Sequence, residues 1–204
     1  MFYLLQSGLL QRLDEWDKWL FLKVNNGMSN PFFDNLMPFM RNGMNWAPLY
    51  LFLGIFAIIN FRSRGAWWSL FFVATVALAD LGGNNLFKQN FHRPRPCLAP
   101  DLALQVRLLI NQCTGGSSFI SNHAANHFAM ATFFFITFRD VLPKWAWIGF
   151  VWAALIAFAQ VYVGIHYPFD VLAGALFGSL VGLLTGRLFN KRYRIAIFDH
   201  QPEA

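Results

Sequence analysis

Charge is scarce in this sequence: 13% of the 204 residues are Asp, Glu, Lys or Arg, about half the usual share. Hydrophobic residues make up 56%, and Phe alone contributes 24. A soluble domain of this size lacks the interior to hide so much apolar side chain, so the surplus should face lipid. Internal repeats and low-complexity tracts are absent, which excludes solenoid and disordered architectures. No cleavable leader is expected, because Arg12, Asp14, Glu15 and Asp17 soon interrupt the N-terminal apolar stretch and no small-residue cleavage site follows. Cysteine is limited to Cys97 and Cys113.

The hydropathy pattern predicts an all-α, polytopic membrane helical bundle treated as a single domain over 1–204. Residues 1–45 form an interfacial N-terminal region, in which Leu13, Trp16, Leu20 and Val24 recur at helical spacing as in a helix lying on the membrane surface. The core, 46–190, carries five spans, over about 46–61, 66–87, 124–138, 145–165 and 169–189, each near the ~17–25 residues that cross a bilayer. A tail, 191–204, follows. Arg62 and Arg64, then Arg139 and Lys144, then Lys191, Arg192 and Arg194 fall on one side, which the positive-inside tendency assigns to the cytoplasm. The segment 88–122 and the turn at His166 lie on the other side. Both cysteines are in that segment; buried thiols are one reading, but an oxidising compartment favours a bridge that staples the loop. The formal charge of +6 reads as cytoplasmic loops plus an anion site, with no nucleic-acid partner.

The chemistry gathers at span ends on the outer side. Lys88, His92, Arg93, Arg95 and two prolines make a first cluster, whose prolines hold the backbone extended and fix where the arginines point. Ser121-Asn122-His123 makes a second: Ser121 is a natural N-cap, and the helix it opens offers free N–H groups to an anion. Gln160 and His166, with Asp170 four residues further on, make a third. A carboxylate there can reach one ring nitrogen, fix the tautomer and make the other nitrogen a better nucleophile. His123 and His127 stand one helical turn apart, a spacing that can bind zinc. No Glu follows His123, however, and basic residues crowd the region, so no metal is expected and His127 reads as a hydrogen-bonded interior residue.

Together these clusters resemble the type 2 phosphatidic acid phosphatase (PAP2) superfamily, in its bacterial membrane lipid phosphatase branch. Lys88 with Arg95-Pro96 fits its first motif, Lys then six residues then Arg-Pro. Ser121 and His123 fit the second, Pro-Ser-Gly-His, with Ile120 and Asn122 replacing Pro and Gly. His166 and Asp170 fit the third, with Ala159 and Gln160 where the family has Ser-Arg. The resemblance implies that His166 attacks phosphorus, Asp170 orients it, and His123 protonates the leaving oxygen and then activates water. Lys88, Arg95, Ser121, Gln160 and the backbone at Asn122 would hold the phosphoryl oxygens. Gln160 supplies no charge, so Arg93, Arg41 and His92 are candidates to compensate.

The activity implied is cofactor- and metal-independent hydrolysis of a lipid monophosphate or diphosphate by a phosphohistidine route. The lipid would be phosphatidic acid, phosphatidylglycerol phosphate, undecaprenyl diphosphate or lipid A phosphate. The expected partners are that lipid and the bilayer, in a bacterial inner membrane with the site facing outward. A phosphotransferase, or a non-catalytic anion-binding or transport protein, are the alternatives; the joint presence of His166, His123 and Asp170 favours catalysis.

Overall fold

The computed structural model describes residues 2–195, with side chains from Gly8 onward. The end of the tail, with His200, lies outside the described residues. The described chain is all helical: α1 (Phe2–Asn25), α2 (Pro31–Arg41), α3 (Ala47–Gly82), α4 (Asn122–Phe138), α5 (Ile148–Tyr162) and α6 (Pro168–Arg192).

Helix α3 is two antiparallel helices joined at Arg62, whose φ of 51° breaks the helical path. Gly65 makes the hairpin possible: a Cβ there would lie 1.9 Å from the Ala57 carbonyl oxygen. Ser69 then donates across the hairpin to the Gly54 carbonyl. The two expected spans, 46–61 and 66–87, correspond to these halves, the second extended by a π-helical turn over Gly83–Lys88. By length and apolarity, Gly43–Lys88 and Pro168–Arg192 can cross a membrane, and Ile148–Tyr162 is a shorter apolar helix. That helix, α5, is shorter than the expected span 145–165. Residues around Trp145 form turns, and the chain leaves the helix before Gly164, which has φ +93°.

The tightest pairing is α4 against α6. Gly174, Gly178, Gly182 and Gly186 line the contact at four-residue spacing, and a Cβ on Gly178 would sit 2.0 Å from the Ala125 carbonyl oxygen. Small residues let the two backbones touch. The backbone N–H of Ser121 donates to the Asp170 carbonyl at 3.0 Å, so the two helix N-termini start side by side. At the opposite end, Trp68, Phe133, Phe138 and Phe189 form an aromatic core. There Tyr193 stacks on Trp67 and Arg194 pairs with Asp140. The three basic groups therefore share one end of the bundle, opposite the histidines.

Helix α1 leaves Leu13, Trp16 and Leu20 of the apolar stripe exposed on its outer face, while Asp17, Phe21 and Asn25 are buried. The inward face of this helix thus carries a carboxylate toward the site. Helix α2 packs Met37 and Met40 against Ile156 and Ala159 of α5. Its Asp34 accepts hydrogen bonds from Tyr162 and Arg107, at 2.5 and 2.8 Å. Arg107, a cation of the outer segment 88–122, is thereby committed to this anchor. Cys97 and Cys113 are joined in a disulfide, with a Cα–Cα distance of 6.1 Å, within the segment between α3 and α4.

Candidate active site

The three sequence clusters converge where α4 and α6 begin and α5 ends. His166 lies in the turn before α6 and is 3% exposed. Its Nε2 is 3.1 Å from Arg95 Nη1, and its Nδ1 is 3.3 Å from Ser118 Oγ. Ser118 in turn donates to Asp170 Oδ2 at 2.5 Å. The direct distance from Nδ1 to that carboxylate oxygen is 3.7 Å, too long for a hydrogen bond. The expected contact between Asp170 and His166 therefore runs through Ser118, because the four-residue step from the turn into α6 leaves the carboxylate just short of the ring. With Nδ1–H donating to Ser118, Nε2 keeps its lone pair and faces Arg95. Burial pushes the His166 imidazolium down to about 4, with Asp170 pulling the other way, so the ring is neutral near pH 7.

Asp170 is fully buried and heavily tied. It accepts from Ser118, from the Tyr167 backbone N–H at 3.0 Å and from Arg93 Nη1 at 2.8 Å. Arg93 is itself held by Asp17 at 2.7 Å and Asp14 at 3.1 Å, and lies over the Tyr167 ring at 3.8 Å. Expected as an auxiliary phosphate ligand, Arg93 is instead committed to carboxylates: it positions Asp170. His92 is exposed.

Lys88, at the end of the π-helical turn, is half-buried and close enough to Arg95 and Asp170 to feel both charges. Arg95 has an extended backbone, as its flanking prolines require. Among the described residues its buried Nε has no hydrogen-bond partner. Ser121 caps α4, accepting from the Ala124 N–H. His123 stands in the first turn of α4, within electrostatic reach of His166, Lys88 and Arg41. The Asn122 side chain faces away from the phosphate cluster, donating to Asp80 at 2.9 Å and Asn84 at 3.1 Å. Gly83 accommodates it, since a Cβ there would be 2.8 Å from the Asn122 amide oxygen. The Asn found in place of the motif's Gly thus fills a space that a second glycine leaves open. His127 donates from Nδ1 to the His123 carbonyl at 2.7 Å, and its Nε2 accepts from Tyr50 at 3.0 Å. Both its nitrogens are occupied within the protein.

Gln160 is fully buried. Its Nε2 donates to the Ile156 carbonyl at 3.3 Å, and its Oε1 faces Arg41 Nε at 3.4 Å. The donor expected to reach phosphate is engaged by its own helix.

A cavity of about 670 Å³ opens beside this cluster. His123 and Asn122 stand at its polar end, and Phe72, Val76 and Met130 line its apolar part between α3 and α4. A second cavity, of about 380 Å³, shares Tyr50, Phe72 and Met130 with the first. Sequence reasoning missed Ser118 and Asp17. Ser118 follows Gly115-Gly116 in a loop with no periodicity, and Asp17 reads as one charge among several on an amphipathic helix.

A buried neutral histidine, a second histidine at a helix N-terminus and unpaired cations make an anion site suited to phosphoryl transfer. Comparison with known proteins agrees. The model of the PAP2 superfamily matches residues 49–194. The lipid A 4'-phosphatase of Bacteroides thetaiotaomicron is 31% identical over 179 residues, covering 86% of this chain and 78% of that protein. The undecaprenyl-diphosphatase BcrC of Bacillus subtilis is 28% identical over 164 residues, 79% of each chain. The fold matches the transmembrane PAP2 type phosphatidylglycerolphosphate phosphatase of Bacillus subtilis with a TM-score of 0.72 at 21% identity, over 96% of both chains. Fold and site define a helical membrane phosphatase, a hydrolase of phosphoric esters. The chain belongs to the PAP2 superfamily, among its lipid phosphatases.

Proposed function

We propose that this phosphatase removes a phosphomonoester from an acylated membrane lipid of the lipid A phosphate kind, through a phosphohistidine on His166. The observation that carries the reading is an apolar cavity with His123 at its polar end, where Arg41, His166 and Lys88 are within electrostatic reach of that histidine. A phosphate headgroup bound there has its hydrocarbon directed along Phe72 and Met130. The two adjoining cavities offer room for more than one chain, which favours a multiply acylated lipid over a single prenyl chain. The similarity to a lipid A 4'-phosphatase over 86% of this chain points the same way.

In this mechanism a phosphoryl oxygen takes over the Arg95 donor now aimed at Nε2, which frees the ring lone pair. Nε2 attacks phosphorus in line with the ester oxygen, the P–O bond breaks, and His123 protonates the departing alcohol. His123 then takes a proton from water, the hydroxide attacks phosphorus, the P–N bond breaks, and inorganic phosphate leaves. Lys88, Arg95 and the N–H groups at the start of α4 stabilise charge on the equatorial oxygens. Water is the acceptor, and the membrane is bacterial and inner, with this end of the bundle facing outward.

The test is phosphate release by purified protein from four lipids in detergent: lipid A phosphate, phosphatidic acid, phosphatidylglycerol phosphate and undecaprenyl diphosphate. Lipid A phosphate should give the highest kcat/KM, and His166→Ala should abolish turnover on all four. Preference for undecaprenyl diphosphate would overturn the substrate assignment, and full activity of His166→Ala would overturn the mechanism.

A further inference from the structure

Arg41 ends α2, outside the 49–194 stretch that matches the family model. Its guanidinium is half-buried beside the catalytic cluster, within electrostatic reach of both Arg95 and His123. Among the described residues no carboxylate pairs with it; its described polar contact is Nε to Gln160 Oε1. That contact leaves both terminal nitrogens of the guanidinium uncommitted.

Its placement is not incidental. Met37 and Met40 seat α2 on Ile156 and Ala159, one turn of α5 around Gln160. Asp34, Tyr162 and Arg107 lock the same helix against α5 and the outer loop. Gln160 is oriented in turn by its bond to Ile156, so its carbonyl oxygen faces Arg41. Burying a cation near two others is costly unless an anion joins them. Arg95 has an unpaired buried Nε, Lys88 sits nearby, and Arg41 has no acid of its own. Arg93, the other arginine at hand, is neutralised by Asp14, Asp17 and Asp170.

We propose that Arg41 is a phosphate-binding residue of this enzyme, delivered by α2 to the place opposite His123, and that Gln160 is a positioning residue which holds the Arg41 guanidinium there. The cation that the third motif lacks at position 160 is then supplied from another helix. A guanidinium at 160 and one at 41 would compete for the same space, so a neutral amide that accepts from Arg41 suits position 160. This assignment rests on the phosphatase reading of the site, and the anion it binds is the phosphoryl group of the substrate.

Orthovanadate, a mimic of the pentacoordinate phosphorus, tests it by calorimetry on full-length protein in detergent, independently of turnover. Arg41→Ala should weaken vanadate binding roughly 10- to 100-fold, the loss of a charge-assisted hydrogen bond, with an unchanged melting temperature. Arg41→Lys should fall between the two. The decisive variant is Arg41→Ala with Gln160→Arg, which returns a guanidinium from α5 and should recover most of the binding. His92→Ala should match wild type. Wild-type affinity in Arg41→Ala would overturn the proposal. So would a lost affinity that Gln160→Arg fails to restore, because a merely structural role for Arg41 predicts that result. Vanadate binding that depends on Arg41, in a protein that hydrolyses no lipid on the panel, would keep this inference and sink the proposed substrate. A wild-type protein that binds no vanadate would overturn both.

Discussion

Ser118→Ala removes one oxygen atom, the one that links Asp170 to the nucleophile. In the wild type Ser118 Oγ stands 2.5 Å from Asp170 Oδ2 and 3.3 Å from His166 Nδ1. Without it the carboxylate and the ring face each other across 3.7 Å. Asp170 does not move to close the gap, because the Tyr167 N–H and Arg93 hold it at 3.0 and 2.8 Å. The imidazole loses the acceptor that fixes its tautomer and stabilises the charge it gains when Nε2 bonds to phosphorus. A hydrogen bond to a charged group contributes about 1.5–3 kcal/mol, so kcat should fall roughly 10- to 100-fold. KM should change little, since Ser118 faces the far side of the ring from the phosphate. The assay is single-turnover phosphate release, with Asp170→Ala measured in parallel as the more damaging loss. A Ser118→Ala enzyme with wild-type kcat, beside an Asp170→Ala enzyme that is crippled, would refute the relay and show that Asp170 acts on His166 directly.

Gly178→Leu should destabilise the bundle and lower activity together. Even a methyl group there meets the Ala125 carbonyl at 2.0 Å, and overpacking of this kind costs about 1–3 kcal/mol or more; a thermal melt in detergent checks it, and an unchanged melting temperature would mean that α4 and α6 are not in contact. Replacing both Cys97 and Cys113 by Ser opens a loop of sequence separation 16 and should cost about 3 kcal/mol in the chain-entropy model, measured by melting with and without reductant. Reductant should destabilise the wild type and leave the variant unaffected. In the same cysteine-free background, a cysteine at Ala103 should react with an impermeant thiol reagent in intact cells, and one at Leu142 should not. The reverse pattern would invert the proposed orientation.

Hydropathy alone determined that this chain is a helical membrane protein, because an apolar content of this size has no soluble solution, and span placement follows from where the runs are broken. The motif residues were equally legible: Lys88, Arg95, Ser121, His123, His166 and Asp170 sit at helix ends, where capping and proline chemistry leave local signatures. Only the tertiary structure decided how they are connected. Ser118 reaches Asp170 across 52 residues, Arg93 reaches Asp14 across 79, and Arg41 reaches Gln160 across 119. Such contacts depend on how an irregular loop folds and on which face of an amphipathic helix turns inward, and neither is encoded at short range. The sequence marked Gln160 as a missing charge; the packing of α2 on α5 set an arginine beside it.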